Sequence, residues 1–382
     1  MRACALFGQE PITEQTLKEE QKMINRNRLF LDIHVIQTVP PSNINRDDTG
    51  SPKTAQYGGV RRARVSSQAW KKVMRDYFNE YGAQSNVGVR TLDVVQYVAD
   101  KIAKLEPGVT DADAFQQAEK AINNAGIKTK DGKARALFFI GDIQATTLAR
   151  AILDGVDDKK TLQAILKENP AVDIALFGRM VADDPSLNED ASAQVAHAIS
   201  THAVQTEFDF FTAIDDLSPE DSAGAGMLGT IEFNSSAMYR YANVAVHELY
   251  RQLGDKEQTL NALKLFVEAF ANSMPTGKSN TFANQTLPQA ILVTVRNDRP
   301  VNLVSAFEEP VKSSEGYIQK SIEKLFKEFK DVEKFVRQPE FTLYVTGYDV
   351  DTCGIDQEAS DLMTLLDKFY VAMKGLMPEK AE

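Results

Sequence analysis

The stretch YGGVRRARVSSQAWKKVMR, Tyr57 to Arg75, decides how this chain is read. Gly58-Gly59 closes a loop, VRRARV has the composition of a short edge strand, and Ser66 or Ser67 suits the N-cap of a helix. Trp70, Val73, Met74 and Tyr77 then recur at i, i+3, i+4 and i+7, one apolar helix face, while Lys71, Lys72 and Arg75 fall largely off it. A strand edge and a helix start therefore meet in one cationic region. From Gly50 to Arg75 there are seven Lys/Arg and no Asp or Glu, although the chain of 382 residues has a net charge of −11. Taking those seven positive charges away from −11 leaves −18 on the other residues. Two readings fit: a solvated helix face, or a track for phosphate. A solvated face usually mixes signs and this window does not. Phosphate responds to the local field rather than the total. The helix start adds N–H donors together with Ser66, Ser67 and Gln68. Composition favours the phosphate track.

Upstream, LFLDIHVIQ (Leu29 to Gln37) reads as a buried strand, and TVPPSNINRDDTGSPK after it as a loop carrying Arg46 and Lys53. Downstream, residues 88–170 lose strand patterning and read as several helices, a helical insertion. VDIALFGRM (Val172 to Met180) returns to strand composition. SAQVAHAISTHAV favours a strand through the period-two set Val195, His197, Ile199 and Thr201. GTIEFNSSAMYRYANVAV (Gly229 to Val246) alternates as a strand, KEQTLNALKLFVEAFANSMP is an amphipathic helix, and QAILVTVRN is a strand. Helices near 314–329 and 360–375 flank the strand EFTLYVTGY. The order implies an α+β fold, a small antiparallel sheet covered by helices on one face.

Between two strands, residues 205–228 are too long for a tight turn. Their FDFFTAIDDL (Phe208 to Leu217) fits a sticky flap onto a neighbouring subunit, a base-stacking surface, or rings that complete the core.

Other chemistries find little support. Cys4 and Cys353 are the only cysteines, which excludes a disulfide framework. His197 and His202 are five apart, a spacing that suits neither one helix face nor one strand face. Asp47-Asp48 and Asp215-Asp216 are acid pairs able to hold a divalent ion, but adjacent acids are common in turns. No Gly-rich phosphate loop and no Ser–His–Asp or Cys–His arrangement is present, so neither cofactor nor resident metal is expected. Residues 1–22 read as a polar N-terminal extension before Met23. No window approaches the roughly 18 apolar residues of a membrane span, and cysteine usage fits a cytoplasmic protein.

INRDD, YGGVRRARVSSQAWKK, VDIALFGRM, VAHAISTHAV, FDFFTAIDDL, FNSSAMYRYANV and FEEPVK occur in this order. Together they closely resemble the backbone subunit of the type I-E CRISPR surveillance complex, Cascade (the CasC family), over residues 29 to 315. The resemblance implies an RRM-like (ferredoxin-like) palm of antiparallel sheet and helices, a helical fingers insertion and a thumb β-hairpin. On this reading the palm comprises 23–78, 172–202 and 231–382, the fingers 79–171 and the thumb 203–230. It implies further that copies stack head to tail along a CRISPR RNA, kink it at regular intervals, and present it to target DNA beside other Cascade subunits. The RNA-binding positions it implies are Arg46, Lys53, Ser66, Gln68, Lys71, Arg75 and Met180. The thumb positions are Phe210, Phe211, Thr212, Met227 and Leu228. Some relatives carry Trp where this chain has Phe210. The implied role is not enzymatic. The alternative is a metal-dependent ribonuclease cutting target RNA through Asp47 and Asp48.

Overall fold

The apolar run at Leu29–Gln37 becomes the middle of a large sheet. The structure, a computed structural model, describes residues 28–82, 86–212, 228–355 and 357–380. The extension 1–22, Met227 and Asp215-Asp216 lie outside the described residues. In chain order come β1 (Phe30–Ser42), β2 (Thr54–Tyr57), β3 (Val60–Val65) and α1 (Ser67–Tyr81). A helical unit follows, with β4 (Val89–Thr91), α2 (Val94–Leu105), α3 (Asp111–Asn124), β5 (Thr129–Lys130), β6 (Lys133–Ala134), β7 (Phe138–Ile140), α4 (Asp142–Leu153) and α5 (Lys159–Lys167). Then come α6 (Val172–Phe177), β8 (Ala193–Val195), β9 (Ala198–Ser200), β10 (Glu207–Thr212), β11 (Leu228–Ala245), α7 (Val246–Leu253) and α8 (Lys256–Asn272). The chain ends with α9 (Ser279–Phe282), β12 (Pro288–Arg296), α10 (Ile318–Val332), β13 (Phe341–Thr346) and α11 (Leu362–Leu376).

The sheet runs β13-β12-β1-β11-β9-β3-β2, with β8 and β10 also pairing β11. Every pair is antiparallel. The α+β class read from the sequence holds, and the strand order is compatible with an RRM-like core. Helices nevertheless cover both faces, not one, and the sheet is not small. Leu31, Ile33, Val35 and Val39 of β1 point into the larger core with α1, α8 and α11. Ile36 points the other way, into a core with Tyr239, Tyr241 and the α10 residues Ile322, Leu325, Phe326 and Phe329. Both alternating sets of β1 are buried, so a sheet bare on one side is incompatible with this strand. β1 also continues past the expected loop start, through Pro40 and Pro41 to Ser42, with its register shifting between Val39 and Ser42. Prolines are tolerated at such an irregularity because no ladder N–H is required there.

The helical unit has its own core, built from Val94, Val98 and Ile102 of α2, Ala118 and Ile122 of α3, Leu148 of α4 and Leu162 and Leu166 of α5. VDIALF, expected as a strand, is the short helix α6. Ala171 is extended before it, and Gly178 at φ +77° ends it. A short apolar run does not distinguish strand from helix by periodicity. Here Asp173, in the first turn, accepts from the Gly88 N–H, which anchors the helical choice. The segment after it forms two three-residue strands, β8 and β9, interrupted at Ala196-His197.

On the α10 face, Asp32 and His34 are fully buried polar groups of β1. Tyr241 Oη and Val301 N donate to the Asp32 carboxylate at 2.7 and 3.0 Å. Burial nevertheless pushes Asp32 up to about 7 and pulls His34 down to about 3. A carboxyl with a raised folded pKa keeps its proton where the unfolded chain has lost it. Its contribution to stability is therefore present at acid pH and lost as pH rises from 3.8 towards 7. The buried neutral histidine works with the opposite sign, because the unfolded chain takes up the proton between its ordinary 6.5 and 3. Asp32→Asn is expected to leave only the histidine contribution, so that stability climbs more steeply with pH across this range than in the wild type. Urea unfolding at stepped pH checks this, and parallel profiles for the two proteins would refute it.

Candidate nucleic-acid interface

The cationic window folds into the β2–β3 hairpin and the start of α1. Gly58 and Gly59 take φ +58° and +76° between the paired Tyr57 and Val60, the geometry a two-residue hairpin turn demands. A side chain at Gly58 would also place its Cβ 1.6 Å from the Glu308 carbonyl oxygen, so the turn tip is clamped against that loop. Ser66 caps α1, its Oγ accepting from Ala69 N at 3.4 Å, and its own N–H donates to Asn45 Oδ1 at 2.9 Å. Asn45 O accepts from Lys53 N, and Lys53 O from Arg64 N, each at 2.9 Å. The loop 45–53, the hairpin and the helix start are thereby tied into one piece.

The structure divides the six cations from Arg61 to Arg75 into distinct groups. Arg62 is fully buried among backbone carbonyls. Lys72 is paired with Asp76 one helical turn on, at 2.5 Å. Arg75 donates to Asp173 at 2.9 Å and to Gly88 O at 3.2 Å, and its guanidinium lies 4.4 Å from the centre of the Phe139 ring. The uniform sign seen in the sequence is therefore broken in space by Asp76 and Asp173. Arg61 is exposed. Arg64 donates to Thr54 O and to His197 Nδ1, each at 3.1 Å. Lys71 lies 5.5 Å over the Phe177 ring, and burial lowers the pKa of its ammonium. Lys53 is half-buried, while Arg46 and Gln68 are exposed. Among the described residues, no carboxylate stands within ion-pair distance of Arg46, Lys53, Arg61, Arg64 or Lys71.

Asp47 is spent on its own turn: Oδ1 accepts from Thr49 N, Thr49 Oγ1 and Ser51 N at 3.0, 2.7 and 3.0 Å. These hydrogen bonds, that from the Thr49 hydroxyl foremost, hold its carboxyl below the ordinary carboxylate value. Among the described residues, no group of three or more His, Cys, Asp or Glu is placed to hold a metal ion. Met180 is 82% exposed, directly after the buried Arg179. Arg179 donates to Leu187 O, Phe139 O and Leu166 O at 2.9, 3.1 and 2.8 Å, which fixes the backbone that presents Met180.

Beyond this region β10 pairs with the start of β11, and all of β10 is exposed. Thr212 pairs with Leu228, Phe211 with Gly229 and Phe210 with Thr230. Side chains alternate across a strand, so Phe208 and Phe210 share a face with Leu228, at 66, 66 and 68% exposure. Phe211 is on the opposite face, over Gly229, where an added Cβ would come 2.3 Å from its Cζ. Phe210 and Phe211, grouped in the sequence reading, therefore present to different sides. Phe208, Arg61 and Arg64 lie in the FDFFTAIDDL and VRRARV stretches that the sequence already offers for stacking and for phosphate, although they are not among the positions the resemblance implies; His197 entered the sequence reading only in the unsuitable metal pair with His202.

These features define an α+β protein whose sheet edge offers unpaired cations and whose β10–β11 pair offers exposed aromatic rings. Among solved structures, a chain titled "CRISPR RNA-guided surveillance complex, pre-nicking" matches with a TM-score of 0.80 and 32% identity, over 90% of this chain and 100% of that one. A chain titled "CRISPR RNA-guided surveillance complex" matches with a TM-score of 0.62 and 29% identity, over 90% of this chain and 99% of that one. No curated protein matches. The sequence model of the CT1975-like protein family matches residues 31–368. The chain belongs to the CT1975-like protein family. No helix among the described residues is long and apolar enough to cross a membrane.

Proposed function

We propose that this chain is a CRISPR RNA-binding subunit of a Cascade-type surveillance complex, and within that class a type I-E backbone subunit. The observation that carries the reading is the 32% identity across 90% of this chain to a subunit of an RNA-guided surveillance complex. Arg46, Lys53, Gln68 and Lys71, joined by Arg61 and Arg64, form the track for the ribose-phosphate strand. Ser66 serves it as the helix cap that orients α1. Arg75 reaches RNA only by giving up Asp173, so its part is to join α1 to the helical unit. Phosphate contacts carry no sequence information, which lets one protein hold any guide.

If the chain divides into palm, fingers and thumb as the resemblance implies, the exposed Phe208, Phe210 and Leu228 belong to the thumb and suit a wedge between nucleotides at a kink. Met180 adds an apolar contact beside the displaced nucleotide. The unstacked guide then pairs with target DNA, and pairing supplies the specificity. Head-to-tail contacts between copies do not close on themselves, so guide length sets how many copies assemble. On this reading the role is scaffolding, not cleavage, and Asp47 Oδ1 shapes the loop 47–51 by accepting from Thr49 and Ser51.

The test is purification of the chain expressed with a CRISPR transcript, followed by analysis of the nucleic acid it retains. Retained RNA of guide length, protected from nuclease at a regular interval, is the expected result. A protein that emerges free of RNA at low salt and fails to bind single-stranded RNA overturns the reading.

A further inference from the structure

His197 sits at the break between β8 and β9, on the exposed side of the sheet edge beside Arg64 and Lys53. Arg64 has no acceptor atoms, so in the 3.1 Å contact between Arg64 Nη1 and His197 Nδ1 the imidazole nitrogen must accept. The ring is therefore neutral, with its proton on Nε2. A doubly protonated ring would turn Nδ1–H against a guanidinium N–H, donor against donor and charge against charge. An anion changes that balance: a phosphate has acceptor oxygens enough for Arg64, Lys53 and both imidazole N–H groups.

We propose that His197, Arg64 and Lys53 form a phosphate cradle in which binding of an RNA backbone is coupled to uptake of one proton by His197. This rests on the RNA-binding reading above and adds to it a residue and a pH dependence. The surroundings support it. Arg64 on β3 and Lys53 before β2 are the charged groups that act on the ring, and both, after desolvation, lower its proton affinity. Its own segment, residues 193–200, holds no other ionisable side chain. Over Met238–Val244, the stretch that pairs with β8 and β9, β11 contributes Tyr239 and Tyr241, buried in the α10-side core, and Arg240, buried with its guanidinium 3.7 Å from the Trp70 ring; its Glu232 lies further along, opposite Phe208 of β10. No carboxylate is among these groups, so an arriving phosphate supplies the negative charge that favours the second proton.

The other three of the chain's four histidines are poorly placed for this role. His34 and His202 are buried. His247 is held against Leu29 O at the far end of β1. Among the four histidines, His197 is the one placed to couple its proton to a bound phosphate.

The experiment compares the full-length protein with His197→Gln, which keeps a side chain able to hydrogen-bond but not to titrate. Affinity for a single-stranded RNA is measured by fluorescence anisotropy at fixed salt from pH 8 to pH 6. Proton uptake is measured by calorimetry in two buffers of different ionisation enthalpy. One coupled proton gives a limiting slope of about one decade of affinity per pH unit. The wild type is expected to gain roughly tenfold towards pH 6, and His197→Gln, whatever its affinity at pH 8, to gain less than about twofold over the same range. Equal pH profiles, or equal proton uptake, in the two proteins overturn the inference while leaving RNA binding intact. Failure of both proteins to bind at any pH overturns the RNA reading itself, and this inference with it.

Discussion

Arg62→Met is expected to lower the stability of the folded chain by about 3–5 kcal/mol, the scale for removing one partner of a buried charged network. The guanidinium is completely buried. Nε donates to Tyr57 O at 3.1 Å, Nη1 to Ser200 O at 2.9 Å, and Nη2 to Phe307 O and Glu308 O at 2.7 and 3.3 Å. These carbonyls come from the hairpin, from β9 and from the segment before α10; the hairpin and β9 otherwise share only the short ladder Arg64–Ile199 and Val65–Ala198, and among the described residues the third segment is in no ladder with either. Methionine fills much of the same volume but donates to none of them, and each buried acceptor left unsatisfied costs about 1–3 kcal/mol. The damage should be local as well as global. With Arg62 gone, the approach of Gly58 to Glu308 loses its tie, and amide exchange in β2 and β3 should accelerate before that in β1. Arg61→Met, one residue away and exposed, should change stability by less than about 0.5 kcal/mol. Urea unfolding of the two variants decides the matter. A cost for Arg62→Met within about 1 kcal/mol of that for Arg61→Met would show that the carbonyl cage is not what holds the hairpin.

That contrast also marks where sequence reading stopped. Elements with a clear period were legible: the Trp70, Val73, Met74 stripe of α1, the alternation of β11, and the long apolar face of α8. Their period is local, and burial enforces it. α6 was not legible, because a six-residue run with five apolar side chains satisfies either period and the deciding hydrogen bond comes from Gly88, 85 residues away. β1 was legible as a buried strand, but the helix layer on its second face was not, because Asp32 and His34 point there and their partners Tyr241 and Tyr239 belong to a distant strand. In the site, residue types were visible but their commitments were not. Arg61, Arg62 and Arg64 are indistinguishable in VRRARV, yet one is exposed, one is caged and one holds a histidine. Charge counted along the chain likewise missed Asp173, which reaches Arg75 across 98 positions.

The division of cations into unpaired and committed makes the second large effect measurable. On a single strand, each phosphate that a side chain ceases to neutralise lowers the log–log salt slope by about 0.7, because its counterion is no longer released. Lys53→Gln combined with Arg64→Gln should therefore reduce the slope by about 1.4 and weaken RNA binding roughly 25-fold near 0.1 M salt. Lys72→Gln combined with Asp76→Asn removes one positive and one negative charge that already neutralise each other at 2.5 Å. It should leave both slope and affinity near the wild-type values, although Lys72 lies in the same basic stretch of sequence. The second pair is chosen over Arg75 because removing Arg75 would strand the buried Asp173 carboxylate and confuse binding with folding. Binding titrations of the full chain at four or more salt concentrations supply the slopes. If the two double variants lower the slope equally, the phosphate track follows the sequence window rather than the unpaired edge. If neither lowers it, the strand lies on a different surface and the hairpin cations serve the fold alone.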